Sequence, residues 1–295
     1  MHTNLKATRK FNWVSSIEAC NQDKLNELQF KMNLFYTKND HRESYDKMIL
    51  TTDFGIDPGP ITYGFLNWME SINANKVLEV GCGQGRIRHH LNGINKSIDY
   101  TGIEVSDDVI LENSIKWPKD KWISSGAYEL PFEDESFDIC FSFYVIEHLV
   151  FPERAIVEMM RVVKKGGYLA LIFPDFTSEK RFPSQILGLS ELRSAKEKIK
   201  KGKILDFFIS LYDSKIKLNR NLKRIKMNPG RFMINLAPIC LHTNNQIHWP
   251  DFDAVYIASK EEIKQWATNA GYKSEFPMGT EFPFDEHTFI VIQKS

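Results

Sequence analysis

A glycine-rich turn behind a short apolar run constrains the fold of this chain more than any other feature. Residues 77–80 read Val-Leu-Glu-Val, which predicts a buried strand, and Gly81, Gly83 and Gly85 follow at every second position. Apolar residues four apart after the glycines predict a helix that begins near Gly85. Glycine lets a ligand approach bare backbone, and the first turn of a helix presents free N–H groups. In a doubly wound sheet, nucleotides bind at such a turn.

The spacing of the glycines differs from two common nucleotide-binding motifs. Dinucleotide-binding proteins show G-x-G-x-x-G, and a P-loop places a lysine after its last glycine. Here the pattern is G-x-G-x-G, with Glu79 two residues before the first glycine and no such lysine nearby. The stretch resembles motif I of the class I S-adenosylmethionine (SAM)-dependent methyltransferases.

Strands and helices alternate in the pattern from residue 76 to residue 164, which predicts a parallel α/β sheet. The second strand, residues 98–105, carries Glu104, which lies 21 residues after Gly83. A carboxylate at that place can accept hydrogen bonds from both hydroxyls of a ribose. The third strand is predicted at residues 122–125.

The most specific signal is the block from residue 130 to residue 149. Leu130-Pro131-Phe132 closes a loop, Phe137-Asp138 opens the fourth strand, and Glu147-His148-Leu149 follows the end of that strand. This block is similar to that of the type-11 branch of methyltransferases. Gly166-Gly167 is expected to end the next helix and to turn into a fifth strand, residues 168–173. The resemblance covers residues 76–175 and resumes at 255–295.

The resemblance implies an α/β fold: a seven-stranded Rossmann-like methyltransferase sheet with helices on both faces. It also implies SAM as cofactor and S-adenosylhomocysteine (SAH) as its product. In one respect the chain departs from the family, because Gly126 stands where an adenine-binding aspartate is frequent; the backbone of Ala127 or the ring of Tyr128 is expected to serve instead. The residues expected to bind the cofactor are Glu79, Gly81, Cys82, Gly83, Gly85, Glu104, Val105, Gly126, Ala127, Tyr128, Ser142 and Phe143.

Four segments are predicted: an N-terminal helical arm at 1–60, a SAM-binding core at 61–175, an insertion at 176–254, and a completing helix and strand pair at 255–295. In the arm, Ser15 or Ser16 is expected to cap a helix whose Leu25, Leu28, Met32 and Phe35 share one face. The arm either covers the sheet or closes as a lid through Phe35, Tyr36 or Tyr45. In the last segment, residues 259–262 read as a capping box, and residues 272–278 and 288–293 as the final strands.

The insertion is rich in both basic and apolar residues. Residues 178–231 contain 15 Lys and Arg against 5 Asp and Glu, and residues 204–212 form an apolar amphipathic stretch. We expect a mainly helical cap. Its basic face is either merely solvated or attracts an anionic acceptor such as a phosphorylated or nucleotide-linked sugar, a glycan, a lipid headgroup or RNA. An interfacial membrane helix is a further alternative.

His148 is the candidate catalytic base, because a hydroxyl nucleophile needs a group that takes its proton. A structural hydrogen bond is the alternative role for this histidine, and Glu147 and Asp175 are weaker candidates. His242, His248 and Trp249 are expected to line the acceptor pocket. No metal site is predicted, since the four cysteines are widely spaced, and this spacing fits a reducing, cytoplasmic location.

Three functional classes remain open at this level. The first is O-methylation of a small molecule or saccharide in cell-surface glycan or secondary-metabolite assembly. The second is an RNA-modifying, for example tRNA-modifying, methyltransferase that grips its substrate with the basic insertion. The third is a non-catalytic SAM-binding partner or regulator. The sequence shows neither a signal peptide nor an apolar run long enough for a transmembrane helix, and it leaves the oligomeric state open.

Overall fold

The computed structural model describes residues 14–37, 59–94, 97–179, 195–242, 251–281 and 286–295. The strands are β1 (Val14–Ser16), β2 (Lys76–Val80), β3 (Asp99–Glu104), β4 (Lys121–Ser124), β5 (Phe137–Phe143), β6 (Val163–Pro174), β7 (Met233–Asn235), β8 (Lys273–Glu275) and β9 (His287–Gln293). The α-helices are α1 (Gln22–Thr37), α2 (Pro60–Ser71), α3 (Arg86–Leu91), α4 (Asp107–Lys116), α5 (Pro152–Val162), α6 (Ala195–Lys200), α7 (Ile204–Tyr212), α8 (Leu218–Met227) and α9 (Lys260–Asn269).

The main sheet has seven strands in the order β4-β3-β2-β5-β6-β9-β8. The first five are parallel, whereas β9 runs antiparallel to both β6 and β8. The chain order reverses at β2, which lies between β3 and β5. The glycine turn follows β2, so it lies at the switch point where open α/β sheets bind ligands. The predicted seven-stranded, Rossmann-like sheet is confirmed.

Helices cover both faces of this sheet. Val77 faces a cluster that contains Phe65, Trp68 and Met69 of α2, whereas the next residue, Leu78, faces the other cluster. That second cluster contains the buried faces of α1, α5, α8 and α9. Successive strand residues point to opposite sides, and both sides are buried here. The strands are therefore apolar along most of their length, as is typical of parallel sheets.

The predicted cap of the first helix is wrong. Ser15 and Ser16 lie in β1, which pairs antiparallel with β7, and the helix begins later, at Gln22. The side-chain oxygen of Asn21 accepts hydrogen bonds from the N–H groups of Asp23 (2.8 Å) and Lys24 (3.3 Å) and so acts as the cap. Pairing with a strand that is more than 200 residues distant prevailed over the local capping preference of serine.

The predicted capping box at 259–262 is also wrong. Ser259 is the N-cap of α9, but its side chain makes no capping hydrogen bond. The carboxylate of Glu262 instead accepts hydrogen bonds from the N–H groups of Gly230 (2.8 Å), Arg231 (2.8 Å) and Phe232 (2.9 Å), and from the hydroxyl of Tyr256 (2.6 Å). Glu262 therefore binds the loop after α8 to the start of α9.

Two predicted strands differ from the structure by more than one residue at an end. Strand β6 begins at Val163 rather than after the glycines, because Val163 is already extended where α5 ends. Gly167 lies within the strand, where a Cβ would come within 2.5 Å of the carbonyl oxygen of Asp138. Only glycine permits that approach. At the sheet edge, β8 covers only Lys273–Glu275 of the predicted 272–278.

The described part of the insertion contains α6, α7 and α8, with a π-helical turn at Asp213–Lys217 between the last two. Strand β7 and a 3₁₀ turn at Ile239–His242 follow. In the described ranges, the helices are all too short or too polar to cross a membrane.

Candidate functional site

The three glycines of the turn all have a positive φ, of +73° at Gly81, +48° at Gly83 and +74° at Gly85. A Cβ on Gly81 would come within 2.5 Å of Val145, and one on Gly85 within 2.4 Å of Trp117. A Cβ on Gly83 would meet no atom within 4 Å. Two glycines are thus required for packing, and Gly83 alone borders open space.

Glu104 lies directly against this open position. Its carboxylate accepts hydrogen bonds from the N–H groups of Gly83 (3.1 Å) and Val105 (2.7 Å). Burial raises the pKa of Glu104, while these backbone hydrogen bonds lower it in part. The structure therefore brings together the glycine turn and the acidic side chain that the sequence pairs with it, 21 residues apart.

Asn113 of α4 holds the same turn from beneath. Its amide donates a hydrogen bond to the carbonyl oxygen of Gly83 at 2.7 Å, and it contacts the Sγ atom of the buried Cys82. Asn113 is itself buried. Sequence reasoning missed this residue, because a lone asparagine within a helix carries no recognisable signal.

Glu79, a predicted cofactor residue, is buried and accepts a hydrogen bond from the hydroxyl of Tyr100. Burial raises the pKa of Glu79 to about 8, against the lowering effect of Tyr100 and of Arg86. Its carboxyl group therefore stabilises the end of β2 next to β3. Any direct contact between Glu79 and a cofactor stays a prediction.

On the predicted adenine side, a Cβ on Gly126 would also meet open space. Next to it, the hydroxyl of Tyr128 accepts hydrogen bonds from the N–H groups of Val150 (3.0 Å) and Phe151 (3.3 Å) and donates one to Gln29 (2.6 Å). Tyr128 thereby joins α1 to the start of α5. Its role toward a nucleoside stays a prediction, as does that of the backbone of Ala127, a buried residue.

The two predicted cofactor residues of β5 lie inside the sheet. Ser142 is fully buried, and the ring of Phe143 packs edge-on against Phe65 of α2, with ring centroids 4.9 Å apart. Tyr144 then has a φ of +55°, which is rare for a residue with a side chain. This bend carries Val145 over Gly81 and leads into the 3₁₀ turn Ile146–His148. Such strain is concentrated at functional sites.

His148 lies between acidic groups from two parts of the chain. Its Nδ1 atom is 3.6 Å from Oδ1 of Asp253, and its Nε2 atom is 3.8 Å from Oε1 of Glu147. The hydroxyl of Tyr36 donates a hydrogen bond to the other oxygen of Asp253 at 2.9 Å, and its ring packs edge-on against the imidazole. The histidine keeps 14% of its side-chain surface exposed.

The charges around His148 shift its proton equilibrium. Burial works to lower the pKa of His148, but the carboxylates of Asp253, Glu147 and Asp251 outweigh it, so the pKa is raised. Burial raises the pKa of Glu147 to about 8, and burial together with Asp253 raises that of Asp251 to about 6. Two carboxyl groups with pKa values on either side of neutral thus lie next to a histidine whose pKa is raised.

The residues that directly follow the insertion hold the turn that carries His148 in place. The carbonyl oxygen of Glu147 accepts hydrogen bonds from the N–H groups of Val255 (2.7 Å) and Tyr256 (2.8 Å). Sequence reasoning missed Asp251 and Asp253; the available signal was an acidic pair in an aromatic stretch, which the basic excess of the insertion obscured. Of the predicted acceptor residues, His242 ends a 3₁₀ turn, while His248 and Trp249 lie outside the described residues, as does Tyr45 of the arm.

The contacts of Asp175 indicate a structural role for its side chain. Its Oδ1 atom accepts hydrogen bonds from the N–H (2.9 Å) and hydroxyl (2.6 Å) groups of Thr177, and its Oδ2 atom is 3.6 Å from the ammonium group of Lys260. These contacts close the turn that follows β6.

Comparisons with known proteins identify the same core. Residues 78–171 match the family model of a methyltransferase domain. An uncharacterized methyltransferase of Schizosaccharomyces pombe is 31% identical over 122 residues, which are 38% of this chain and 44% of that protein. A mitochondrial ubiquinone biosynthesis O-methyltransferase of Candida albicans is 33% identical over 35% of this chain and 34% of its own length.

A ubiquinone/menaquinone biosynthesis C-methyltransferase of Campylobacter jejuni is 29% identical over 36% of this chain and 46% of its own length. The alignments thus span less than half the length of these relatives. Among solved structures, the plantazolicin methyltransferase BpumL, in complex with SAH, superposes with a TM-score of 0.53 over 93% of this chain and 99% of its own, at 14% identity. The seven-stranded sheet, the glycine turn and the match over residues 78–171 together show that this chain contains a methyltransferase domain, which is similar to that of the type-11 branch of the class I SAM-dependent methyltransferases.

Proposed function

We propose that this protein transfers a methyl group from SAM to a hydroxyl oxygen of a small molecule or saccharide. The observation that carries the proposal is the pairing of an open glycine turn with a histidine flanked by carboxylates. Both follow the C-terminal ends of neighbouring parallel strands, β2 and β5. The relatives named above include both an O- and a C-methyltransferase, so the choice of oxygen rests on His148.

The residues around Gly83 fit a nucleoside. Open space above its Cα lets a ligand contact the bare backbone, and the carboxylate of Glu104 next to it is an acceptor suited to ribose hydroxyls. When bound, SAM supplies an electrophilic methyl group on a sulfonium. Gly83, Glu104 and Val105 would hold its ribose, and Gly126, Ala127 and Tyr128 would border its adenine.

His148 would take the proton of the acceptor hydroxyl at Nε2. Asp253 faces Nδ1 and, held in turn by Tyr36, would orient the imidazole and stabilise its protonated form. The carboxyl groups of Glu147, Asp251 and Asp253 surround the same place, which favours a neutral reacting end of the acceptor over an anionic one. Only the basic residues of the insertion therefore support an anionic acceptor.

The direct test is turnover. The protein is incubated with SAM labelled in its methyl group and with phenols, sugars and nucleotide-linked sugars, and both SAH and labelled product are measured. Oxygen-linked methyl in the product, located by mass spectrometry and NMR, would support the proposal. Methylation only at carbon or nitrogen would contradict it, and SAH binding without turnover across the acceptors would favour a regulatory role.

We expect replacement of His148 by alanine to lower kcat by about 100-fold or more, because a positioned base typically contributes that much. SAH affinity should stay within about twofold, since the hydrogen bonds of Gly83 with Glu104 and Asn113 do not involve His148. His90→Ala, which removes a partly exposed histidine at the far end of α3, is the matched control. A loss below threefold in the His148 variant would leave this residue a structural role.

The pH dependence of the rate should report on the same group. His148 acts as a base only when neutral, so the rate should rise with pH through its raised pKa. In Asp253→Asn, the removal of a neighbouring negative charge lowers that pKa, and the rising limb of kcat should move to lower pH. Tyr36→Phe keeps the charge of Asp253 and should leave the limb in place. If the rising limb of kcat kept its position in Asp253→Asn, the group that titrates would be one other than His148.

A further inference from the structure

The helix α7 presents an unusual apolar surface. Ile204, Leu205, Phe208, Leu211 and Tyr212 fall at positions i, i+1, i+4, i+7 and i+8, which lie on one face of an α-helix. All five are exposed, Leu205 to 72% and Phe208 to 60%. Ile199 and Ile216, on either side of the helix, are exposed as well. Isolated exposed apolar residues are ordinary, but a contiguous stripe of this kind marks an interaction site.

Basic residues surround this apolar stripe. Lys196, Lys200, Lys201 and Lys203 precede it and Lys215 follows it, and all are exposed. Between residues 195 and 227 the sequence contains eleven Lys and Arg and three Asp and Glu. Lysine can extend its apolar stem along a hydrophobic surface and keep its ammonium group in water. Lys198 of the predicted basic face is an exception, since it is buried.

The following helix attaches this segment to the core. Leu218, Leu222 and Ile225 of α8 are buried in the same cluster as Ile263 and Ala267 of α9, while Arg220, Lys223 and Arg224 face outward. One side of α8 is therefore fixed to the methyltransferase domain, and α7 before it is held with its apolar face outward.

We propose that α6, α7 and the π-helical turn form an interfacial segment that binds the surface of an anionic lipid bilayer. Helices that lie in the plane of a membrane combine a stripe of large apolar side chains with a lysine-rich border, and anionic lipids attract that border. The stripe is mostly aliphatic, whereas single-stranded RNA is held by aromatic and guanidinium planes that stack on bases. The observations therefore favour lipid over RNA. This inference goes beyond the proposed methyl transfer and does not depend on it.

The test measures co-sedimentation of the full chain with vesicles. One set contains phosphatidylcholine alone, and the other equal parts of phosphatidylcholine and phosphatidylglycerol. We expect clear binding to the mixed vesicles and weak binding to the neutral ones. Leu205→Asp/Phe208→Asp should reduce binding at least about tenfold, because it places two charges on the inserted face. Lys200→Gln/Lys201→Gln/Lys203→Gln should reduce it about fivefold per lysine and weaken its salt dependence.

A matched control is available on α4. Leu111 and Ile115 are also exposed, four residues apart, but their helix carries Asp107, Asp108 and Glu112 against a single basic residue, Lys116; Leu111→Asp/Ile115→Asp should leave vesicle binding unchanged. Circular dichroism should show all three variants folded, since the substituted residues are exposed. Three results would overturn the proposal: equal vesicle binding by the wild type and the Leu205/Phe208 variant, binding of an RNA oligonucleotide without vesicle binding, or self-association through this face in sedimentation velocity without vesicle binding.

Discussion

Replacement of Glu104 by alanine should reduce the affinity for SAH by about 100-fold or more in isothermal titration calorimetry. The carboxylate is the acceptor next to the open glycine, and hydrogen bonds to a charged group contribute about 1.5–3 kcal/mol each. Two such bonds to ribose hydroxyls therefore account for at least this loss. The same carboxylate also accepts the N–H groups of Gly83 and Val105, so the variant is expected to loosen the turn that receives the ligand.

Two variants make this result specific. Glu112→Ala removes an exposed carboxylate from the neighbouring α4 and should leave SAH affinity unchanged, which controls for net charge. Glu104→Gln keeps the size and one acceptor oxygen of the side chain, so it should fold normally and still bind weakly. A thermal melt identifies any variant that fails to fold. Unchanged SAH affinity in both Glu104 variants would show that the nucleoside does not bind at this site.

A valine at Gly83 tests the open space itself. The added side chain would enter the volume that borders Glu104, and we expect it to abolish SAH binding. It also introduces backbone strain, because φ is +48° there. Gly271→Val controls for strain, since Gly271 has a φ of +78° and open space but lies at the end of α9. Binding retained in the Gly83 variant would contradict the placement of the ligand.

The sheet and the contact between the glycine turn and Glu104 could be predicted from sequence because their signals are local. The apolar run at 77–80, the glycines behind it and Glu104 lie within 30 residues of each other, and each of these patterns predicts a single local structure. The structure places them side by side, with Gly83 and Glu104 in direct contact. Alternation of strands and helices then determined the parallel order, because the crossover rules leave few arrangements.

The surroundings of His148 could not be predicted in the same way, because its contacts join distant segments. Tyr36, His148 and Asp253 meet although they are separated by more than 100 residues at each step. A single sequence carries no local pattern for such a meeting. The same reason explains the errors at Ser16 and Glu262: each has the right residue type for a helix cap, but a partner from elsewhere in the chain uses it instead.

The largest effect on stability is expected from Glu262→Ala, which should lower the free energy of unfolding by about 4 kcal/mol. Its fully buried carboxylate accepts three backbone N–H groups and one tyrosine hydroxyl. Alanine leaves these four donors without their acceptor. The N–H of Phe232 and the hydroxyl of Tyr256 are buried, and each unsatisfied buried donor costs about 1–3 kcal/mol, whereas the exposed Gly230 and Arg231 can bind water instead. The loss should appear in urea denaturation as a lower midpoint.

The neighbouring residue provides the control. Glu261 is the same residue type in the same first turn of α9, but it is exposed, so Glu261→Ala should change the free energy of unfolding by less than about 0.5 kcal/mol. Tyr256→Phe removes only one of the four donors and should lower it by about 1 kcal/mol. The double variant Tyr256→Phe/Glu262→Ala should lose less stability than the sum of the two single losses, because both changes remove the same hydrogen bond between Tyr256 and Glu262. Equal effects of Glu261→Ala and Glu262→Ala would show that helix-terminal charge, rather than the buried hydrogen bonds, determines the stability of this junction.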